Sequence, residues 1–171
     1  MKEKQSPQRY PAGRFLASVV LLAILSGATG IRSITWRDNI TLWTDVAEKS
    51  PNKARPHDEL GKALHAQRDF TGAMREFQTA LRLDPDNAEF HNNLGMVYLS
   101  RGMTDDAIGR FQIALELAPE YGKAHLNLGV LYLEKGFVSA AKKEFAAVLS
   151  TDPDNGQALG FLNYIATVNK N

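Results

Sequence analysis

Three of the four histidines, His57, His91 and His125, are separated by 34 residues each. Imidazole is a common zinc ligand, so the first question is whether they meet at one metal. One histidine per helical unit puts neighbours about 10 Å apart, because packed helix axes lie about 8–10 Å from one another. Ligands of one zinc all lie about 2 Å from the ion. The spacing therefore predicts partly buried packing positions, with no metal and no cofactor. The acids are scattered: Asp105 and Asp106 open a helix, where negative charge suits the dipole, and Asp84, Asp86, Asp152 and Asp154 fall in turns. There is no cysteine, which excludes thiolate metal sites, disulfides and thiol nucleophiles. No serine, histidine and acid share a repeating arrangement, and no glycine loop suits a phosphate. The residues predict no catalysis.

The elements that carry these residues are set by a 34-residue period. Leu60, Leu94 and Leu128 keep that step, as do Gly61, Gly95 and Gly129, and Ala73, Ala107 and Ala141. Phe77, Phe111 and Phe145 follow it too, with Pro85, Pro119 and Pro153, and Pro51 lies one step earlier. Three units result, at residues 54–87, 88–121 and 122–155. Within the second, Leu94, Tyr98, Ala107, Phe111, Ala114 and Leu115 recur at helical intervals of three and four. Small residues in fixed columns allow helices to approach closely, while leucine and phenylalanine fill the space between layers. Gly102 and Gly136 end the first helices of units two and three through a left-handed residue. Unit one has Gln67-Arg68-Asp69 there, which predicts a looser turn. The aromatic column reads Leu64, Tyr98, Tyr132, and Val148 replaces the alanine of positions 80 and 114, predicting wider packing in unit three.

These columns resemble the tetratricopeptide-repeat (TPR) pattern over about 100 residues. The resemblance implies an all-α fold: a TPR superhelix of three full repeats plus a capping helix. The histidines occupy the column that is usually tryptophan in that family. The first helix of each unit is expected to line a concave groove. Its exposed positions are then Arg55, Asp58, Glu59, Lys62 and His65 in unit one. They are Glu89, Asn92, Asn93, Met96 and Leu99 in unit two, and Lys123, Leu126, Asn127, Val130 and Leu133 in unit three. Asparagine offers a donor and an acceptor together. Asn93 and Asn127 match the asparagine ladder by which some TPR proteins hold a peptide backbone, and Glu59 breaks the series. A carboxylate clamp is not expected, since Asp58 stands where that clamp has lysine. Met96, Leu99, Leu126, Val130 and Leu133 give an apolar floor suited to an amphipathic helix or a hydrophobic strand.

Repeat arrays need capped ends. Residues 156–171 read as a capping helix and tail, with Leu159, Leu162 and Ile165 facing inward. Residues 38–53 read as a linker helix, half a degenerate repeat, carrying Leu42, Trp43 and Val46 and stopped by Pro51. Phe161 and Tyr164 at the far end also allow self-association.

Charge divides the chain. Residues 1–37 hold six basic residues and one acid, leaving fourteen basic against eighteen acidic beyond them. Such a body repels phosphate, so no nucleic-acid partner is expected. Residues 1–14 form a basic tail, and Phe15 to Ile31 is uncharged between Arg14 and Arg32. Residues 15–36 are predicted to be a transmembrane helix in the lipid bilayer, since about 17 apolar residues are the lower limit for a span. A signal peptide cleaved after Ser26-Gly27-Ala28 is the alternative. The positive-inside bias puts the amino terminus in the cytoplasm and the repeats outside it, in the periplasm. Residues 33–38, 41–43 and 50–55 are also similar to the junction between the last span and the TPRs of multi-span O-mannosyltransferase-like proteins. That similarity carries no catalytic residue, because the catalytic membrane domain lies outside this chain. It implies a non-catalytic module of a glycosyltransferase assembly. The leading expectation is a membrane-anchored scaffold that binds a protein or peptide ligand.

Overall fold

The computed structural model describes residues 39–168. The predicted tail of residues 1–14 and the span of residues 15–36 lie outside them. Among the described residues no helix is long and apolar enough to cross a membrane.

The described chain is all-α and has eight helices. Residues 39–49 form α1, followed by α2 (Ala54–Ala66), α3 (Phe70–Leu83), α4 (Ala88–Ser100) and α5 (Thr104–Leu117). The last three are α6 (Gly122–Glu134), α7 (Val138–Thr151) and α8 (Gly156–Val168). Three-residue turns fold α2 onto α3, α4 onto α5 and α6 onto α7, and each pair packs on the next. Sequence sets several of these ends. Asp69 caps α3 through the Gly72 amide at 2.9 Å, and Asn87 caps α4 through the Glu89 amide at 3.1 Å.

The columns of the repeat face inward. Ala73, Ala107 and Ala141 are fully buried, with Phe77, Phe111 and Phe145 beside them. Each phenylalanine ring occupies the space over the glycine of its own repeat. A Cβ on Gly61, Gly95 or Gly129 would stand 2.8, 2.6 or 2.7 Å from the ring of Phe77, Phe111 or Phe145. Leu94 and Val97 bury against Ala73 and Phe77 of the preceding unit, and Leu128 and Leu131 do so against Ala107 and Phe111. The core is thus one seam running through successive pairs.

Two expectations need correction. The first turn is not looser: Arg68 itself takes a left-handed φ of 66°, matching Gly102 at 75° and Gly136 at 79°. The closing bond is the same in all three, from Asp69 to Leu64, Met103 to Tyr98 and Phe137 to Tyr132. The buried face of α8 is Ala158 and Ile165, with Leu162 half-buried, while Leu159 lies outside. In α1 the buried residue is Ala47, and Leu42 is exposed.

Candidate interaction surface

The first helices α2, α4, α6 and α8 build one face, and side chains link them across repeats. Asn93 donates from Nδ2 to Asp58 Oδ1 at 2.8 Å, and Asn127 donates to Asn92 Oδ1 at 2.9 Å. Each bond spans 35 residues, one repeat plus one position. At the third step the corresponding residues are Leu126 and Phe161, both apolar and packed against the same cluster. Asp58 and Asn92, expected to be exposed, are only 2 % and 4 % accessible. They are buried because they accept from the next repeat, and an unpaired buried acceptor is costly.

The same face changes character along its length. At its start Lys62 Nζ lies 2.6 Å from Asp58, 2.8 Å from Glu89 and 3.4 Å from Glu59. Burial pulls the Lys62 pKa down, but hydrogen bonds to Asp58 and Glu89, reinforced by their charges, outweigh it and hold the ammonium above its ordinary range. Arg55 and Lys123 also act on Glu89, whose carboxyl is held below its usual value. Lys62 is therefore a structural counter-ion. Further along, Asn92, Met96, Lys123, Leu126, Asn127 and Val130 line a groove of about 370 Å³ together with Gln157 and Phe161. It continues into a second hollow bounded by Leu133, Phe161 and Tyr164. Leu99 is half-buried against the Phe111 cluster. Phe161, expected to lie free at the array's end, stacks on Phe145 with ring centroids 4.9 Å apart. Tyr164 is 58 % exposed.

Sequence reasoning missed Gln157 and Phe161 as groove residues. The signal was present: they stand 34 residues after Lys123 and Asn127. It also missed what holds the histidines. His57 Nδ1 meets Glu76 Oε2 at 2.8 Å and Nε2 meets the Pro51 carbonyl at 3.2 Å. His125 repeats this with Glu144 at 2.7 Å and Pro119 at 2.8 Å. His91 donates from Nε2 to the Pro85 carbonyl at 3.0 Å, but its Nδ1 faces the Arg110 guanidinium at 3.5 Å. Each histidine thus ties the preceding turn to the second helix of its own unit. Among the described residues no group of histidines and acids is placed to hold a metal.

The comparisons agree with this architecture. Residues 61–102 match the family described as TPR repeat, and residues 98–163 match tetratricopeptide repeat. Among solved structures, the first TPR of Spaghetti (RPAP3), bound to the HSP90 peptide SRMEEVD, is similar with TM-score 0.65 and 24% identity. The match covers 70% of this chain and 94% of that one. YrrB, a TPR protein with an unusual peptide-binding site, has TM-score 0.66 and 21% identity, covering 80% and 71%. The OM64 TPR domain of Arabidopsis has TM-score 0.63 and 19% identity, covering 67% and 94%. No curated protein matches in sequence. The described chain carries tetratricopeptide repeats in an all-α superhelix.

Proposed function

We propose that this TPR array binds a peptide or helix along the face of its first helices, with the ligand's apolar part over α4, α6 and α8. The observation that carries the reading is the groove walled by Met96, Leu126, Val130 and Phe161. Beside it, the Asn92 Nδ2 and Asn127 Oδ1 atoms have no partner among the described residues. An apolar trough edged by a free amide donor and acceptor suits a polypeptide that buries side chains while its main chain bonds to the wall. Two solved relatives, by their descriptions, also concern peptide binding. The charge network around Lys62 argues for a different ligand end from a free carboxylate, since that ammonium already has three acids. A photo-crosslinking residue at Val130 is expected to capture a polypeptide, and one at the exposed Gln112 is not. Equal yields at the two positions would remove the reading.

The module acts, on this proposal, from a membrane anchor at residues 15–36, with the repeats outside the cytoplasm. The basic tail and the uncharged run support that placement. Protease added to intact spheroplasts is expected to digest the repeats, and protection would reverse the orientation. The junction at residues 33–55 favours, as a second reading, a non-catalytic module of a glycosyltransferase assembly. Co-purification of a multi-span transferase supports that version.

A further inference from the structure

The opposite face holds a feature that the repeat does not require. A cavity of about 550 Å³ opens between α3 and α5, and α4 forms its floor. Leu81 and Leu94 give it an apolar base, while Arg75, Arg82 and Arg110 stand around it with His91. Among the described residues no carboxylate lines it. Arg75 shares Glu76 with His57, through a 3.1 Å contact. Arg82 reaches only Thr79, and Arg110 only His91, so neither has an acidic partner among the described residues.

The next repeat is an internal control. Stepping each arginine by 34 residues gives Gly109, Glu116 and Glu144. The same junction between α5 and α7 therefore carries two acids and no arginine at these positions. Packing is satisfied by Glu76 and Glu144, which each accept from a histidine; Arg110 gives up that short contact for a weaker one at 3.5 Å. Arg82 and Arg110, whose charges no acid among the described residues offsets, repel one another across the hollow unless an anion enters.

We propose that this cavity is an anion-binding site for a multiply charged carboxylate or phosphate ligand with a small apolar body, distinct from the peptide groove. Guanidinium groups suit such anions because they donate paired hydrogen bonds. The volume is in the range of small-molecule sites, roughly 300–1,000 Å³. The shared chemistry has two sources, a free small anion or acidic side chains of a partner.

The test is calorimetric titration of the 171-residue chain with inorganic pyrophosphate and, separately, with a hexaglutamate peptide, at low and at moderate salt. Wild type is expected to bind at least one probe saturably, more weakly as salt rises. Arg110→Glu installs the residue that units one and three already use, so its melting temperature should be kept or raised. Its affinity should nevertheless fall roughly tenfold or more, the loss expected when a charge-assisted hydrogen bond is removed. Arg82→Glu, with Glu116 as precedent, should do the same. Binding of pyrophosphate alone assigns a free anion, and tighter binding of the peptide assigns an acidic partner segment. No saturable binding of either probe, or equal affinity in wild type and both folded variants, would overturn the proposal.

Discussion

A Cβ built on Gly95 would lie 2.6 Å from Cε1 of Phe111, and Phe111 is completely buried. The ring cannot yield, because every side of it is already packed. Gly95→Ala should therefore destabilise the fold by about 1–3 kcal/mol through overpacking. Gly109, also in a helix, has nothing within 4 Å of its missing Cβ. Gly109→Ala should stabilise by about 0.5–1 kcal/mol, the difference in helix propensity. Thermal unfolding of the two variants separates packing from propensity, and equal shifts would contradict the register.

Arg68 adopts the left-handed conformation that its counterparts Gly102 and Gly136 take freely. A side chain there costs about 1–2 kcal/mol. Arg68→Gly should recover about 1 kcal/mol in chemical denaturation, and a less stable variant would show that Arg68 makes a contact worth more than the strain.

Asn127 binds the buried Asn92 across a repeat boundary. Asn127→Ala should cost about 1–3 kcal/mol, because Asn92 Oδ1 would lose its donor in a place water reaches poorly. Loss of ligand binding in this variant thus reports folding as well as recognition. Val130→Glu is the cleaner groove variant, since Val130 is half-buried at the groove wall; calorimetric melting of both variants checks the distinction.

Two side chains, His65 and Glu89, should each lower stability on acidification, while Asp58, whose pKa is raised by burial, opposes them. Burial lowers the pKa of His65 below its ordinary 6.5. Its Nε2 bonds Ser100 Oγ at 2.8 Å, and its ring lies 5.5 Å from that of Phe70. The unfolded chain takes up the proton more readily, so this contribution is complete above about pH 6.5 and lost as pH falls through the folded value. The hydrogen bond from Lys62 lowers Glu89 beneath 4.5, so its contribution is present above about pH 4.5 and lost below it. Both groups are partly exposed, so each should contribute less than about 1 kcal/mol. Denaturant titrations from pH 7.5 to 4 should show a shallower upper slope in His65→Gln and a shallower lower slope in Glu89→Gln. An unchanged wild-type profile in both would refute the assignment.

The 34-residue columns alone determined the helix pairs and the buried alanines, because a repeated core forces the same residue types to recur at each layer; that each phenylalanine covers the glycine of its own repeat was decided by the packing. The Gly102 and Gly136 turns were legible for a similar reason, while Arg68 was not, since the closing bonds of the repeat impose a conformation its side chain disfavours. Only tertiary structure decided the fate of Asn92, Asn93 and Asp58. Their amide and carboxylate groups suit a ligand or a neighbour equally well, and the stagger of one helix against the next chose the neighbour. The same holds for His91 and Arg110, whose unlike pairing becomes visible only when α3, α4 and α5 are brought round one cavity. Periodicity specifies which side chains return to equivalent places; the packing of those places specifies which polar atoms remain free.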